Sequence, residues 1–388
     1  MATAATLAWS KANGSRRALT FGEALGCARA GAPPEVAWLV PLLRCSEDEA
    51  TELFSAADQV RAAHLGTEVH LRALIEFSNY CRCDCAYCGV RRSNRDVARY
   101  RLRPEEIIRV AQEAEGFGYR TAVLQSGEDL WYTRDRMVEI LRGIRATTDL
   151  AITLSAGERD RDTYRAWREA GADRYLMRIE TTDPALFAAL HPDTDLEERK
   201  QCLYALRDLG YQLGSGVMVG LPGQSAETLA RDVIWLHGLG AEMIGVGPFI
   251  PHPSTPLRDA DGGTVEQTLR LVAVLRLVFP DAHLPATTAM GSLHPLGRER
   301  ALQAGANVVM PNVTPTVLRP KYDIYPGKIC LGDDAGLCRG CITGRILGLG
   351  RTIGSDHGHV KRVRDIPAEA SGVADPAPAP LPRTARRP

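Results

Sequence analysis

Eight short, β-branched apolar runs alternate with helix-forming stretches, and this alternation constrains the chain's fold more than any other feature. The runs cover residues 71–77, 121–125, 151–155, 174–178, 212–219, 243–247, 283–287 and 307–310. A strand followed by a helix and then another strand builds a parallel sheet, because each crossover returns the chain to the same edge. Eight such units predict an α/β fold closed as a (β/α)8 TIM-type barrel. Helix starts are marked by Arg103-Pro104, Thr133 and Asp183-Pro184, and helix stops by Gly118, Gly171, Gly210, Gly240 and Gly305. The 388 residues suffice for one such domain with extensions, since these barrels use about 250 residues or more. The expected division is an N-terminal helical extension over 1–64, the barrel over 65–345, a C-terminal extension over 346–369, and a Pro/Ala-rich tail over 370–388 too poor in large apolar groups to fold. Residues 17–62 read as helical and are expected to cover one barrel end.

Active sites of such barrels lie at the carboxyl ends of the strands, and the loop after the first run carries Cys81, Cys85 and Cys88 at C-x3-C-x2-C spacing. Three thiolates on one short loop suit a cubane iron–sulfur cluster, leaving its fourth iron free to bind a small chelating molecule. A structural zinc ion is the alternative, but it needs a fourth ligand. Cys83 is available, yet four thiolates crowded on one eight-residue loop do not readily surround an ion tetrahedrally. Cys83 is most simply a spare thiol.

The second cysteine group, Cys330, Cys338 and Cys341, follows the last run. It suits a second iron–sulfur cluster, a zinc ion, or plain surface thiols. Two clustered cysteine groups among ten cysteines indicate metal in a reducing compartment rather than a disulfide framework, so a cytoplasmic location is expected. Cys27, Cys45 and Cys202 are isolated and expected to be small buried residues. Lys+Arg and Asp+Glu balance at 47 each, which argues against nucleic acid or an acidic membrane as a partner. No apolar run approaches the ~18 residues of a membrane span. The first residues lack the apolar core of a secretory signal, although an organelle transit signal stays open.

The remaining strand ends carry polar groups. Gln125-Ser126-Gly127-Glu128-Asp129 follows the second run, where a glycine lets backbone approach a ligand and the two carboxylates can accept from an ammonium; a solvated turn is the commoner meaning of such a sequence. Glu158 follows the third run. Arg174 and Arg178 share parity along the fourth, with Glu180 just beyond, so both guanidiniums are expected to face a bound anion together. Thr287 and Thr288 follow the seventh run, as ligand groups or as caps. His252 and His294 lie in Pro-containing loops and read as substrate-side groups or satisfied loop histidines.

The cysteine spacing resembles the signature of radical S-adenosylmethionine (SAM) enzymes. Segments in order, IEFSNYC, LQSGED, VMVGLPGQ, GVGPFIPHP, LPATTAMG, NVVMPN and YPGKIC, further resemble the HydE family of [FeFe]-hydrogenase maturases over roughly residues 65–355. The resemblance implies a [4Fe-4S] cluster on Cys81, Cys85 and Cys88, Tyr87 beside the adenine of SAM, and SAM contacts from Ser126, Gly127, Glu180 and Arg199. It implies a substrate cavity lined by Arg72, Thr153, Arg174, Arg178, Met243, Thr287, Thr288, Tyr322 and Tyr325, and an accessory cluster at Cys330, Cys338 and Cys341. The implied activity is reductive cleavage of SAM to a 5′-deoxyadenosyl radical that acts on a small cysteine-derived, iron-bound substrate during assembly of the dithiomethylamine bridge of the H-cluster. An electron donor and other hydrogenase maturases are the implied partners. Methylornithine synthase and biotin synthase are rival families; biotin synthase is expected to place further cysteines inside the barrel, and here only Cys202 lies between the two cysteine groups. A non-catalytic iron–sulfur scaffold or carrier is the alternative from another class.

Overall fold

The computed structural model describes residues 17–360; the proposed disordered tail and the question of an N-terminal signal lie outside these residues. The strands are β1 (Glu68–Leu71), β2 (Ala73–Ser78), β3 (Thr121–Ser126), β4 (Ala151–Ser155), β5 (Arg174–Leu176), β6 (Gln212–Val219), β7 (Met243–Pro248), β8 (Val308–Val309) and β9 (Thr352–Ile353). Strands β2 to β7 form one parallel sheet in sequence order. Parallel pairing of β1 with β8 continues the ring, and single bridges close it: Met243 to His283, Pro285 to Val308, and Leu74 to Asn312. The barrel is therefore present, but the seventh run is not a strand. Proline has no N–H to give a ladder, and Pro285 sits in the middle of that run, so residues 283–287 hold their place by two bridges.

Each helix buries one stripe against the sheet. In the helix Pro104–Gly116 the buried residues are Ile107, Val110, Ala111 and Ala114, the three-and-four spacing of one helical face. The sequence's start signals act as read: Thr133 accepts from the Arg136 N–H, and Asp183 accepts from the Ala185 and Leu186 N–H groups. The five stop glycines all take positive φ.

Two expectations change. The N-terminal helices Phe21–Arg29, Val36–Leu43 and Glu47–Leu65 do not cover a barrel end; they pack on the outer helices Ala226–Leu239 and Val265–Val278. The helix Val265–Val278 is thus sandwiched, which explains why its sequence VEQTLRLVAVLRLV is apolar nearly all round. The barrel's amino end is closed instead by the far end of the chain. After β9 pairs with β1, residues 354–359 cross the opening: the Gly358 carbonyl accepts from Arg72 Nη2 at 3.2 Å, and the His357 carbonyl accepts from Arg174 Nη2 at 2.6 Å and Thr121 Oγ1 at 2.9 Å. A domain boundary at 345 also falls inside the helix Ala335–Gly348, so the supposed extension completes the barrel rather than following it.

Candidate active site

The loop bearing Cys81, Cys85 and Cys88 leaves the carboxyl end of β2 and is held against neighbouring loops by main-chain bonds. The Gly127 N–H donates to Ser78 O at 3.0 Å, Arg82 N–H to Glu128 O at 3.0 Å, and Ala86 N–H to Leu190 O at 2.9 Å. Gly127 is required here: a Cβ would stand 2.2 Å from the Tyr80 carbonyl oxygen and 2.9 Å from the Cys81 Cβ. The Glu128 N–H reaches Cys81 Sγ at 3.4 Å. A hydrogen bond with Cys83, then burial, pushes the Cys81 thiol well above its ordinary pKa, and burial raises Cys88 to about 12. The Cys81 thiol lowers the Cys83 pKa, but the Cys85 thiol and burial outweigh it and hold Cys83 above its ordinary value. Three thiolates of one loop can each bind a different iron of a cubane, whereas a tetrahedral zinc ion needs a fourth ligand. The glycine-dependent close approach of residues 80–81 to 127 supplies a cradle of matching kind.

Across the mouth from the cysteines, Glu180 is 6% exposed and takes φ 65°, a conformation costly for a residue with a Cβ. It is locked by Glu180 N–H to Gly216 O at 3.0 Å and Met218 N–H to Glu180 O at 3.2 Å. The next turn is pinned by buried Asp232, which accepts from the Thr182 N–H at 2.6 Å. Burial raises the Glu180 pKa, offset by Arg178 and Arg199. Its Oε2 lies 3.0 Å from Arg178 Nη2 as an ion pair without well-aligned hydrogen-bond geometry, and counts among the buried polar atoms left without a hydrogen bond, as do Ser126 Oγ, Arg178 Nε and Thr287 Oγ1. Arg199 donates through Nε to Glu158 and through Nη1 to Arg178 O. Buried polar atoms normally find partners, and four such orphans on one rim mark a surface shaped for a ligand.

Several sequence expectations are redistributed. Glu128 is bound through Oε1 to Arg82, while Asp129 takes both Arg101 and Ser78; both carboxylates have partners within the fold. Arg174 and Arg178 do not face a ligand together. Arg174 is the first residue of β5, at the sealed end, fully buried, with donors to Gln212 Oε1 at 2.6 Å, Thr121 Oγ1 at 3.2 Å, His357 O, and His359 Nδ1 at 3.0 Å. Its guanidinium is consumed by the fold, whereas Arg178, beyond the strand's end, is at the mouth. Thr287 caps the helix Thr288–Leu293 without a side-chain bond. His252 binds Asp323 at 3.1 Å and His294 accepts from the Leu296 N–H at 3.1 Å, as satisfied loop histidines do. Cys45 is buried, but Cys27 and Cys202 are only partly so.

Inside the barrel lies a narrow cavity lined in part by Arg72, Val123, Thr153, Leu176, Met243 and His283. Three buried polar atoms on this wall lack partners: Arg72 Nε, Thr153 Oγ1 and His283 Nε2. Arg72 Nη1 reaches only Met243 Sδ at 3.0 Å, and no carboxylate pairs with it among the described residues. His283 was missed in the sequence. Asn307 Oδ1 accepts from Arg276 Nη2 and Leu284 N–H, which fixes the amide so that Asn307 Nδ2 donates to His283 Nδ1 at 2.9 Å. Burial holds the ring neutral, leaving Nε2–H as a donor on the wall.

A second missed group is Glu76, which binds Lys328 and accepts from Asn312 Nδ2 at 2.7 Å; a glutamate inside the apolar run 71–77 was the available signal. Tyr322 is buried, stacks by Lys328, and meets Gln125 Nε2 at 3.3 Å. Lys328 also lines a small cleft with Thr288, Arg298, Asn312, Cys330 and Cys338. There the Cys338 thiol and the Arg298 guanidinium lower Cys330 to about 6, Arg298 Nη2 standing 3.8 Å from its sulfur, while Cys341 is exposed on the helix. Burial raises the Tyr325 pKa.

Comparison with known proteins agrees with this geometry. Residues 75–236 match the model of the radical SAM superfamily. The chain is 50% identical over 311 residues to the [FeFe] hydrogenase maturase subunit HydE of Thermotoga maritima, covering 80% of this chain and 89% of that protein. It is 31% identical to 3-methylornithine synthase of Methanosarcina acetivorans, over 68% of this chain and 75% of that one. A crystal structure of methylornithine synthase superposes with a TM-score of 0.75 at 26% identity, covering 85% of this chain and 97% of that one. The barrel and its cysteine loop are those of a radical SAM enzyme, a class that carries a [4Fe-4S] cluster and binds SAM. Within that class, the chain belongs to the HydE family. Among the described residues no helix is long and apolar enough to cross a membrane.

Proposed function

We propose that this enzyme works in [FeFe]-hydrogenase maturation, cleaving SAM reductively and turning the resulting radical on a small, anionic, cysteine-derived substrate, carried on iron, for the dithiomethylamine bridge of the H-cluster. The observation that carries the substrate class is the set of three unpaired donors, Arg72 Nε, Thr153 Oγ1 and His283 Nε2, on one buried cavity wall. A carboxylate or a cyanide-bearing iron complex is the kind of anion that would satisfy them.

Cys81, Cys85 and Cys88 would hold the cluster, which when bound supplies the electron for homolysis of the SAM sulfonium bond. Ser126 Oγ and the backbone of Gly127 form the side of the SAM site nearest Cys81, with Tyr87 against the adenine. Glu180 offers its Oε2 from a backbone held in place by Gly216 and Met218, so the acceptor needs no rearrangement on binding. Arg199, held through Nε by Glu158 and through Nη1 by Arg178 O, would contribute to the SAM site from a fixed position. Arg178, Met243, Thr287, Thr288, Tyr322 and Tyr325 surround the substrate on the path inward, and Arg174 supports the chamber from beneath without touching its contents. Cys330, Cys338 and Cys341 would hold an accessory iron–sulfur cluster outside the reacting volume. The electron donor and the other maturases complete the proposed partners.

Anaerobic reconstitution with iron and sulfide, followed by SAM and dithionite, tests this reading. Formation of 5′-deoxyadenosine should rise when an iron–cysteine complex is added and should not rise with ornithine-type or desthiobiotin-type substrates. Stimulation by either of the latter would move the enzyme to a neighbouring family's chemistry.

A further inference from the structure

Tyr87 sits between two of the cysteines, in the run Cys85-Ala86-Tyr87-Cys88, and its hydroxyl meets His191 Nε2 at 3.1 Å. The two rings meet edge to face, their centroids 5.5 Å apart. His191 is 2% exposed and caps the helix Pro184–Leu190, its Nδ1 lying 3.3 Å from the Phe187 carbonyl oxygen. A carbonyl only accepts, so Nδ1 carries the proton and Nε2 the lone pair. The direction of the chain of bonds is thereby fixed: the Tyr87 hydroxyl donates to His191 Nε2, and His191 Nδ1–H donates to Phe187 O. Phe187 also packs against the imidazole, ring centroids 4.3 Å apart. The same short segment grips the cysteine loop twice more, through Ala86 N–H to Leu190 O and Asp84 N–H to Asp193 Oδ2 at 2.7 Å.

We infer that His191 is a positioning residue for SAM, anchoring the Tyr87 hydroxyl so that the ring is already set at the angle against which adenine packs. The inference rests on the reading of Tyr87 as the adenine-side residue. A tyrosine ring on a short loop has two rotatable angles, and a ligand that must first order it loses affinity. A buried acceptor with a single tautomer removes that cost. The contacts of His191 run to Tyr87 and Phe187, so its effect is expected at the adenosine end of SAM.

The test compares two ligands on the reconstituted enzyme: SAM, and free methionine, which shares the amino and carboxylate groups but has no adenine. Binding is read from perturbation of the cluster's electron paramagnetic resonance spectrum, not from turnover. Tyr87→Ala should weaken SAM strongly. His191→Phe and Tyr87→Phe should each weaken SAM by about fivefold to tenfold, as loss of one buried hydrogen bond does, and the double variant should be no worse than either single one. Methionine binding should stay within about twofold in both, given that no contact to it is lost. His191→Gln, which retains an acceptor, should recover most of the loss. If Tyr87→Ala leaves SAM affinity intact, the adenine-side reading of Tyr87 is wrong. If Tyr87→Ala weakens SAM but His191→Phe and Tyr87→Phe do not, or if their effects add, that reading stands and the anchor is disproved. Equal loss of methionine and SAM binding would also overturn it, by showing that His191 merely supports the cysteine loop. Should His191→Phe fail to fold, Tyr87→Phe and His191→Gln carry the same comparison.

Discussion

The two ends of this barrel use the same residue types for opposite ends. At the mouth, Arg178 keeps an unpaired Nε beside a glutamate without a full set of bonds. At the foot, Arg174 donates to four acceptors on three segments, β6, β3 and the closing residues 354–359. The two lie four residues apart along the chain, a distance of about 13 Å at ~3.3 Å per residue if extended. An arginine in a barrel strand is therefore a ligand group or a rivet according to how far along the strand it stands. Unsatisfied hydrogen-bonding capacity, not charge or burial alone, tells the two apart.

The sharpest attack on this contrast is Cys85→Ala, at the mouth. It should abolish 5′-deoxyadenosine formation, measured anaerobically after reconstitution, because two remaining thiolates cannot keep the cluster with its open iron; the iron-free protein should melt as before. Persistent SAM cleavage would contradict the assignment of the whole mouth. The paired arginine variants come next. Arg178→Met should cut substrate-stimulated SAM cleavage by about tenfold, with a smaller loss of Tm than Arg174→Met, because Arg178 is partly exposed and Arg199 still faces Glu180. Arg174→Met should do the reverse: a loss of about 3 kcal/mol in stability, roughly a 5 °C lower Tm, from stranding several buried acceptors, with SAM cleavage per folded molecule nearly unchanged. If the two variants behave alike, the distinction between mouth and foot has no functional meaning. The smallest effect is expected from Cys338→Ala, which lies outside both ends. Iron content should fall while SAM cleavage survives, and parallel loss of both would draw the accessory cysteines into the reaction.

Much of this was legible in the sequence. The repeating strand and helix pattern, the capping residues and the cysteine spacing are local signals, and apart from the first run, broken at Arg72, and the seventh, the strands form where the runs place them. What was illegible depends on partners distant in the chain. Parity placed Arg174 and Arg178 on one side but could not say that β5 ends at Leu176 or that a backbone carbonyl 183 residues later would take up the first guanidinium. The donors at the foot bind main-chain oxygens, which carry no residue signature, so the closing role of residues 354–359 left no trace in the sequence. His283 reads as an ordinary polar residue in an apolar run until Asn307 is seen to set its tautomer. Tyr87 was found through family likeness, whereas His191 emerged only once the helix Pro184–Leu190 was seen to end against the cysteine loop. The seventh run looked like a strand because alternation does not register that its central residue, Pro285, has no amide to give.

The bond from Arg72 to the Gly358 carbonyl spans 286 residues, and this separation sets an order of events during synthesis. A ribosome adding ~5–20 residues per second needs roughly 15 to 60 s to travel from one partner to the other. By the end of that interval β2 to β8 and the loop carrying Cys81, Cys85 and Cys88 have been made while the floor beneath them has not. The nascent barrel is a tube open at its lower rim, with two guanidiniums facing water through it. Closing the floor is the step that turns this tube into a chamber, and it falls to nearly the last part of the described chain to leave the ribosome.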